Sequence, residues 1–166
     1  MTEFTLKDGA SVRVRPIRPE DDRTLIEVFS RSSPETVYQR FLAPLRELTP
    51  AMARTLASVD NEQRLAFIAE TDAGPVGVVR YDATRDPAMA ELGLVVVDEW
   101  QNRGLGRLLL REILRAAEEK GIHRFRAELL AENRRILHLL TDETEIEDWK
   151  IEAGVTALSL TLRHAA

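Results

Sequence analysis

Between residues 101 and 107 the chain reads Gln101-Asn102-Arg103-Gly104-Leu105-Gly106-Arg107, two glycines set just ahead of a long amphipathic run. Between a strand and a helix, such a turn can bind a phosphate. Glycine lets the backbone approach closely, and the first N–H groups of the helix have no carbonyl of their own. Arg103, Arg107, Arg111 and Arg115 recur every fourth residue and so line one helix face, where like charges repel. Arg103 and Arg107 also stand at the positive end of the helix dipole, where acids are favoured. An anion at the turn resolves both conflicts for these two. Arg111 and Arg115 can pair with Glu112, Glu118 or Glu119 instead. A solvated polar face is the competing reading.

Spacing sets aside the two most familiar phosphate loops. A dinucleotide-binding fingerprint needs a third glycine three residues after the second, where this chain has Leu109. No Gly-Lys-Ser/Thr follows Gly104 at P-loop distance. Cysteine is absent, which removes disulfides, thiolate nucleophiles and thiolate metal ligands. His123, His138 and His164 lack metal-ligand spacing, so no metal is expected. No serine stands in a nucleophile elbow. A formal net charge of −5 at pH 7 speaks against a general nucleic-acid binder. The first residues lack the order of a signal peptide, and no apolar run reaches membrane-spanning length. The expectation is a cytoplasmic protein with no nucleic-acid or membrane partner, one domain over residues 1–166.

The elements that must position the turn follow from periodicity. Alternation predicts a strand over residues 11–17, ended by Pro16 and Pro19. Helices are expected over 20–31, from Ser33-Pro34 to about Leu42, and from Thr49-Pro50 to about Val59, the last two opening with an N-cap and a proline. A hairpin follows, with strands at 65–70 and 76–81 about a turn at Gly74. A largely buried strand over 89–97 leads into the glycine turn, then a helix to Lys120 stopped by Gly121. A strand at 123–130, a helix at 132–140, an acidic loop at 141–148 and two strands at 149–151 and 155–162 complete the chain. These elements assemble into an α+β fold around a sheet of about seven strands.

Gln101-Asn102-Arg103-Gly104-Leu105-Gly106 matches the Gln/Arg-x-x-Gly-x-Gly/Ala signature of the GNAT acetyltransferase superfamily. Residues 67–70, 76–81, 90–93 and 129–133 resemble the catalytic domain of bacterial Pat-type protein-lysine acetyltransferases. The segment 33–41, with Tyr38, Arg40 and Phe41, is similar to their early helical region. The resemblance covers roughly residues 12–140. It implies a mixed, mostly antiparallel sheet flanked by helices, with a splayed central strand pair holding CoA. Acetyl-CoA would then be held by the backbone of Val95, Val96 and Val97, by Gln101, and by the N–H groups of Arg103, Gly104, Leu105, Gly106 and Arg107. Asn133 would face the same cleft, or else cap its own helix.

The implied activity is direct acetyl transfer from acetyl-CoA to an amine, with a protein lysine or a small amine as acceptor. A non-catalytic acyl-CoA sensor of the same fold is the rival. Attack on a thioester needs a neutral amine, and an ordinary lysine is protonated at neutral pH. In Pat-like enzymes a glutamate on the signature strand serves as base, and the matching residue is Glu91. A carboxylate on an otherwise apolar strand is expected to be desolvated, which suits that work. The tyrosine that many members carry after the position of Asn133 is absent, and Tyr38 is read as core or acceptor-site packing. The usual glycine–aromatic pair after the last helix is also missing. Asp142, Glu143, Glu145, Glu147 and Asp148 stand there instead.

Overall fold

A computed structural model describes residues 1–163; His164 lies outside them. The strands are β1 (Thr2–Thr5), β2 (Ser11–Pro16), β3 (Arg64–Thr71), β4 (Gly74–Ala83), β5 (Met89–Val96), β6 (Arg124–Leu130), β7 (Thr144–Glu152) and β8 (Val155–Leu162). The helices are α1 (Asp22–Ser30), α2 (Pro34–Phe41), α3 (Pro50–Ala57), α4 (Leu105–Glu119) and α5 (Arg134–Glu143). All eight strands join one sheet in the order β1-β2-β3-β4-β5-β6-β8-β7. Every pairing is antiparallel except β5 with β6, which the α4 crossover makes parallel.

Local signals work as expected at most boundaries. Ser33 Oγ accepts from Thr36 N–H and Thr49 Oγ1 from Met52 N–H, each at 3.2 Å, and each is followed by proline. Gly121, at φ 80°, closes α4, and the N–H of Ile122 reaches back to the Ala117 carbonyl. Helix α4 buries Leu105, Leu109, Leu110, Ile113, Leu114 and Ala117 against the sheet. At Gly77, on β4, a β-carbon would stand 2.9 Å from Leu109, so glycine admits the helix there. The adjacent Val78 faces the other side, among Leu25, Val28 and Phe29 of α1. Helices α1–α3 thus cover one face and α4 the other, and β4 is buried almost throughout.

Three expectations are corrected. An eighth strand, β1, pairs with β2 although its only large apolar residue is Phe4. The acidic loop does not exist: Asp142 and Glu143 end α5, and residues 144–152 form β7. Thr144 and Ile146 turn inward there, opposite Leu162 and Leu160. Tyr38 is 40% exposed and so is not core, whereas Tyr81 is fully buried and donates to the Glu62 carbonyl at 2.8 Å.

Candidate active site

Strands β5 and β6 pair only at Met89↔Arg124, Ala90↔Phe125 and Glu91↔Arg126, then diverge. The divergence opens a cavity of about 320 Å³, lined by residues 92–96 of β5, by Ala127–Leu129 of β6, and by parts of α2, α4 and α5. It runs from the glycine turn to the point where the strands part. Val95, Val96, Gln101, Gly104, Gly106, Arg107 and Asn133 all line it, so one cleft gathers most of the expected cofactor residues.

Backbone parity decides which groups of β5 face the cleft. The N–H of Val97 donates to the Val76 carbonyl, and its own carbonyl accepts from Trp100 N–H. Val97 is fully buried and has no backbone group left for a cofactor, which corrects that expectation. In an antiparallel ladder the bonding alternates, so Val95 also points its backbone at β4. The open edge belongs to Leu92, Leu94 and Val96. Leu92 and Leu94 were missed by sequence reasoning, which had no means of fixing the parity.

At the turn, Gly104 stands at φ 87° as the N-cap of α4, and no side chain caps the helix. Among the described residues, the N–H groups of Leu105, Gly106 and Arg107 have no acceptor. The Leu105 side chain lies in the core, so only its N–H faces outward. Such a cradle of unsatisfied donors at a dipole's positive end fits a pyrophosphate.

The arginines are placed differently from expectation. Arg103 Nε lies 2.6 Å from Asp8 Oδ2, and its guanidinium sits 3.9 Å over the Trp100 ring, so it does not line the cavity. Arg107 bonds Glu143 at 2.7 Å and Asp142 at 2.9 Å; Arg111 bonds Glu143 at 2.9 Å; Arg115 pairs with Glu112 at 3.4 Å. The Arg111 hydrogen bond above all, with Arg107 adding to it, holds the Glu143 carboxyl below its ordinary pKa against an upward push from burial. Arginines at the start of α4 and acids at the end of α5 each oppose a helix dipole, and they neutralise one another. The charge conflict that suggested an anion is therefore met within the protein, and what remains without a partner at the turn is the set of free N–H groups.

Gln101 is a tie. Its Nε2 donates to Thr36 Oγ1 and to the Val96 carbonyl, while its Oε1 accepts from Arg135. Arg135 also reaches Asn102 Oδ1 at 3.2 Å and lines the cavity mouth, a contact across 33 residues that no local pattern showed. Asn133 Oδ1 accepts from Ile136 N–H at 3.4 Å, so it caps α5 as well as lining the cleft. Glu91 stands at the last β5–β6 pair but is exposed, and the desolvation expected of it is absent.

The model of the family described as "Acetyltransferase (GNAT) domain" matches residues 11–142. The chain belongs to the GNAT acetyltransferase family. It is an acetyl-CoA-dependent N-acetyltransferase. Among GNAT relatives, Acetyltransferase PA5475 of Pseudomonas aeruginosa is 31% identical over 134 residues, 78% of this chain and 72% of that one. Acetyltransferase Pat of Mycolicibacterium smegmatis is 32% identical over 134 residues, 77% of this chain but 39% of Pat. The GNAT domain of S. lividans PAT superposes with a TM-score of 0.88 at 31% identity, covering 97% of this chain and 96% of that one. The structure of yncA from Salmonella typhimurium, solved with its cofactor acetyl-CoA, has a TM-score of 0.72 at 18% identity, covering 93% and 96%, and shares the fold.

The ion pairs at the turn give an expected result for this GNAT enzyme. Glu143→Gln removes a negative charge beside the glycine turn, frees Arg111 and leaves Arg107 held by Asp142 alone. Acetyl-CoA is expected to bind more tightly in calorimetry, by about 1 kcal/mol or less, since the pairs are only partly buried. The gain should shrink as salt is raised.

Proposed function

We propose that acetyl-CoA lies along the open edge of β5, with its pyrophosphate on the N–H groups of Leu105, Gly106 and Arg107. The observation that carries this reading is the alignment of three features in one cleft: those donors, the β5 edge at Leu94 and Val96 that no strand pairs, and the strand divergence beside Glu91. The thioester supplies an activated acetyl carbon. Glu91 takes the proton from the acceptor amine, and Gln101 and Arg135 hold the turn in place. Gly104, Gly106 and Asn133 shape the cleft. The single sheet uniting all eight strands supports reading the chain as one acetyltransferase domain.

The acceptor we propose is a lysine side chain on a protein, a reading supported by the similarity to the GNAT domain of S. lividans PAT. We place the reaction in the cytoplasm, in keeping with a chain that has no cysteine. Among the described residues, no helix is long and apolar enough to cross a membrane. The test is incubation with acetyl-CoA and candidate proteins, then mass spectrometry of lysine acetylation, with a panel of small amines in parallel. New acetyl-lysine sites that Glu91→Gln fails to produce are the expected outcome. Transfer only to small amines would replace the lysine reading. Tight CoA binding with no transfer to anything would favour the sensor.

A further inference from the structure

Arg40, near the end of α2, has no part in the site as described so far. Its guanidinium lies across Gly93: a β-carbon there would stand 2.8 Å from Nη2 and 2.9 Å from Cζ. Gly93 is two residues past the last β5–β6 pair, and Arg40 lines the cavity beside it. Strand alternation puts Glu91 and Gly93 on the same face, roughly 7 Å apart. Arg40 and Glu91 therefore flank one stretch of β5, at the far end of the cleft from the glycine turn.

Among the described residues Arg40 forms no ion pair. The carboxylate whose charge acts on it, Asp82, is already taken by Arg80 at 2.9 and 3.0 Å and by Arg64 at 2.9 Å. Arg40 instead packs on the Phe41 ring at 5.0 Å. It is half-buried, and it lines both the cleft and a smaller pocket beneath α1 and α2. Burial, and then the Arg80 charge, bring its pKa down to about 10, against a partial pull upward from Asp82. At neutral pH it is still a cation. A charge held partly out of water without a counter-ion costs stability, so the fold keeps an uncompensated positive charge where the strands part.

Acetyl transfer develops one negative charge at this end of the cleft, on the thioester oxygen. We infer that Arg40 is an oxyanion-stabilising catalytic residue whose guanidinium hydrogen-bonds that oxygen. The inference rests on the placement of acetyl-CoA proposed above. The nitrogen lone pair of the neutral amine forms the C–N bond, and the carbonyl π pair moves onto oxygen, beside Arg40. Collapse re-forms C=O and breaks the C–S bond. The proton that nitrogen gives up passes through Glu91 and ends on the departing CoA sulfur. A donor fixed in advance where charge develops stabilises the transition state more than the ground state.

The test is isotope-edited infrared spectroscopy of acetyl-CoA carrying carbon-13 at its carbonyl, bound to wild type, Arg40→Lys and Arg40→Gln. The carbonyl band is expected to move to lower frequency on wild type, less on Arg40→Lys, and not at all on Arg40→Gln. The acetyl-CoA Kd should change little, and kcat on any accepted amine should fall about 10²–10³-fold in Arg40→Gln. Arg40→Met is expected to unfold at a higher temperature than wild type, because it removes the uncompensated charge while keeping the packing stem. An identical band in wild type and Arg40→Gln overturns the inference, and a lowered unfolding temperature in Arg40→Met would then mark a packing role. Preferential binding of succinyl-CoA by wild type, lost in Arg40→Gln, would overturn it by assigning Arg40 to a carboxylate. If wild type fails to bind acetyl-CoA at all, the placement itself is wrong and the inference falls with it.

Discussion

Glu91→Gln is expected to lower kcat by roughly 10²–10⁴-fold while leaving the acetyl-CoA Kd unchanged, the signature of a lost general base. The substitution keeps the size of the side chain and removes only its capacity to accept a proton. Glu91 is exposed and makes no ion pair among the described residues, so folding should be undisturbed. In the proposed mechanism the acceptor covers this exposed carboxylate and so completes the catalytic setting. Steady-state kinetics across pH, with calorimetry of acetyl-CoA on the same samples, separates the two effects. Full turnover by Glu91→Gln at every pH would remove Glu91 from the mechanism.

Gly104→Val is expected to be the most damaging substitution for acetyl-CoA binding. Gly104 holds φ at 87°, a conformation that costs a β-branched residue about 1–3 kcal/mol. Relaxing that strain turns the N–H groups of Leu105, Gly106 and Arg107 away from their common focus. Hydrogen bonds to a charged group contribute about 1.5–3 kcal/mol each, so misdirecting even one implies roughly a ten- to hundredfold loss of affinity. Arg107→Ala should cost less, because Asp142 and Glu143 already occupy its guanidinium and must be displaced before it can serve an anion. Calorimetric titration of the two variants against wild type checks the order. A Gly104→Val protein that binds as well as wild type, with unchanged stability, would show that the cradle is not used.

Much of this was legible from periodicity. Alternation in residues 11–16, the proline-led helix starts at Pro34 and Pro50, and the Gly104 and Gly121 punctuation around α4 all correspond to observed elements. What escaped had physical reasons. In β7 the register shifts between Ile146 and Asp148, and the extra residue breaks the two-residue period, so an acidic strand read as an acidic loop. In β1 a single apolar residue, Phe4, leaves no pattern to detect. At the site, the glycine motif and the family resemblance named residues most of which line one cleft, but backbone parity moved the open edge from Val95 and Val97 to Leu92, Leu94 and Val96. The partners of Arg103 and Arg107 come from Asp8, Asp142 and Glu143, far off in sequence, so tertiary pairing answered a conflict that local reasoning assigned to a ligand. Arg40 was visible only as part of a family-like segment. Its meaning came from Gly93, which leaves room for it, and from a carboxylate that is already taken.

The proposed site rests most on a pyrophosphate contact at the start of α4. Calorimetric titration of wild type at low salt, with acetyl-CoA and with S-acetyl-pantetheine, tests it directly. The two ligands share the thioester and the pantetheine arm, and differ in the phosphates. Acetyl-CoA is expected to bind far more tightly, with the gap narrowing as ionic strength rises and screening shortens to about 10 Å at 0.1 M. Equal affinity for the two at low salt would contradict a pyrophosphate on the Leu105–Arg107 N–H groups.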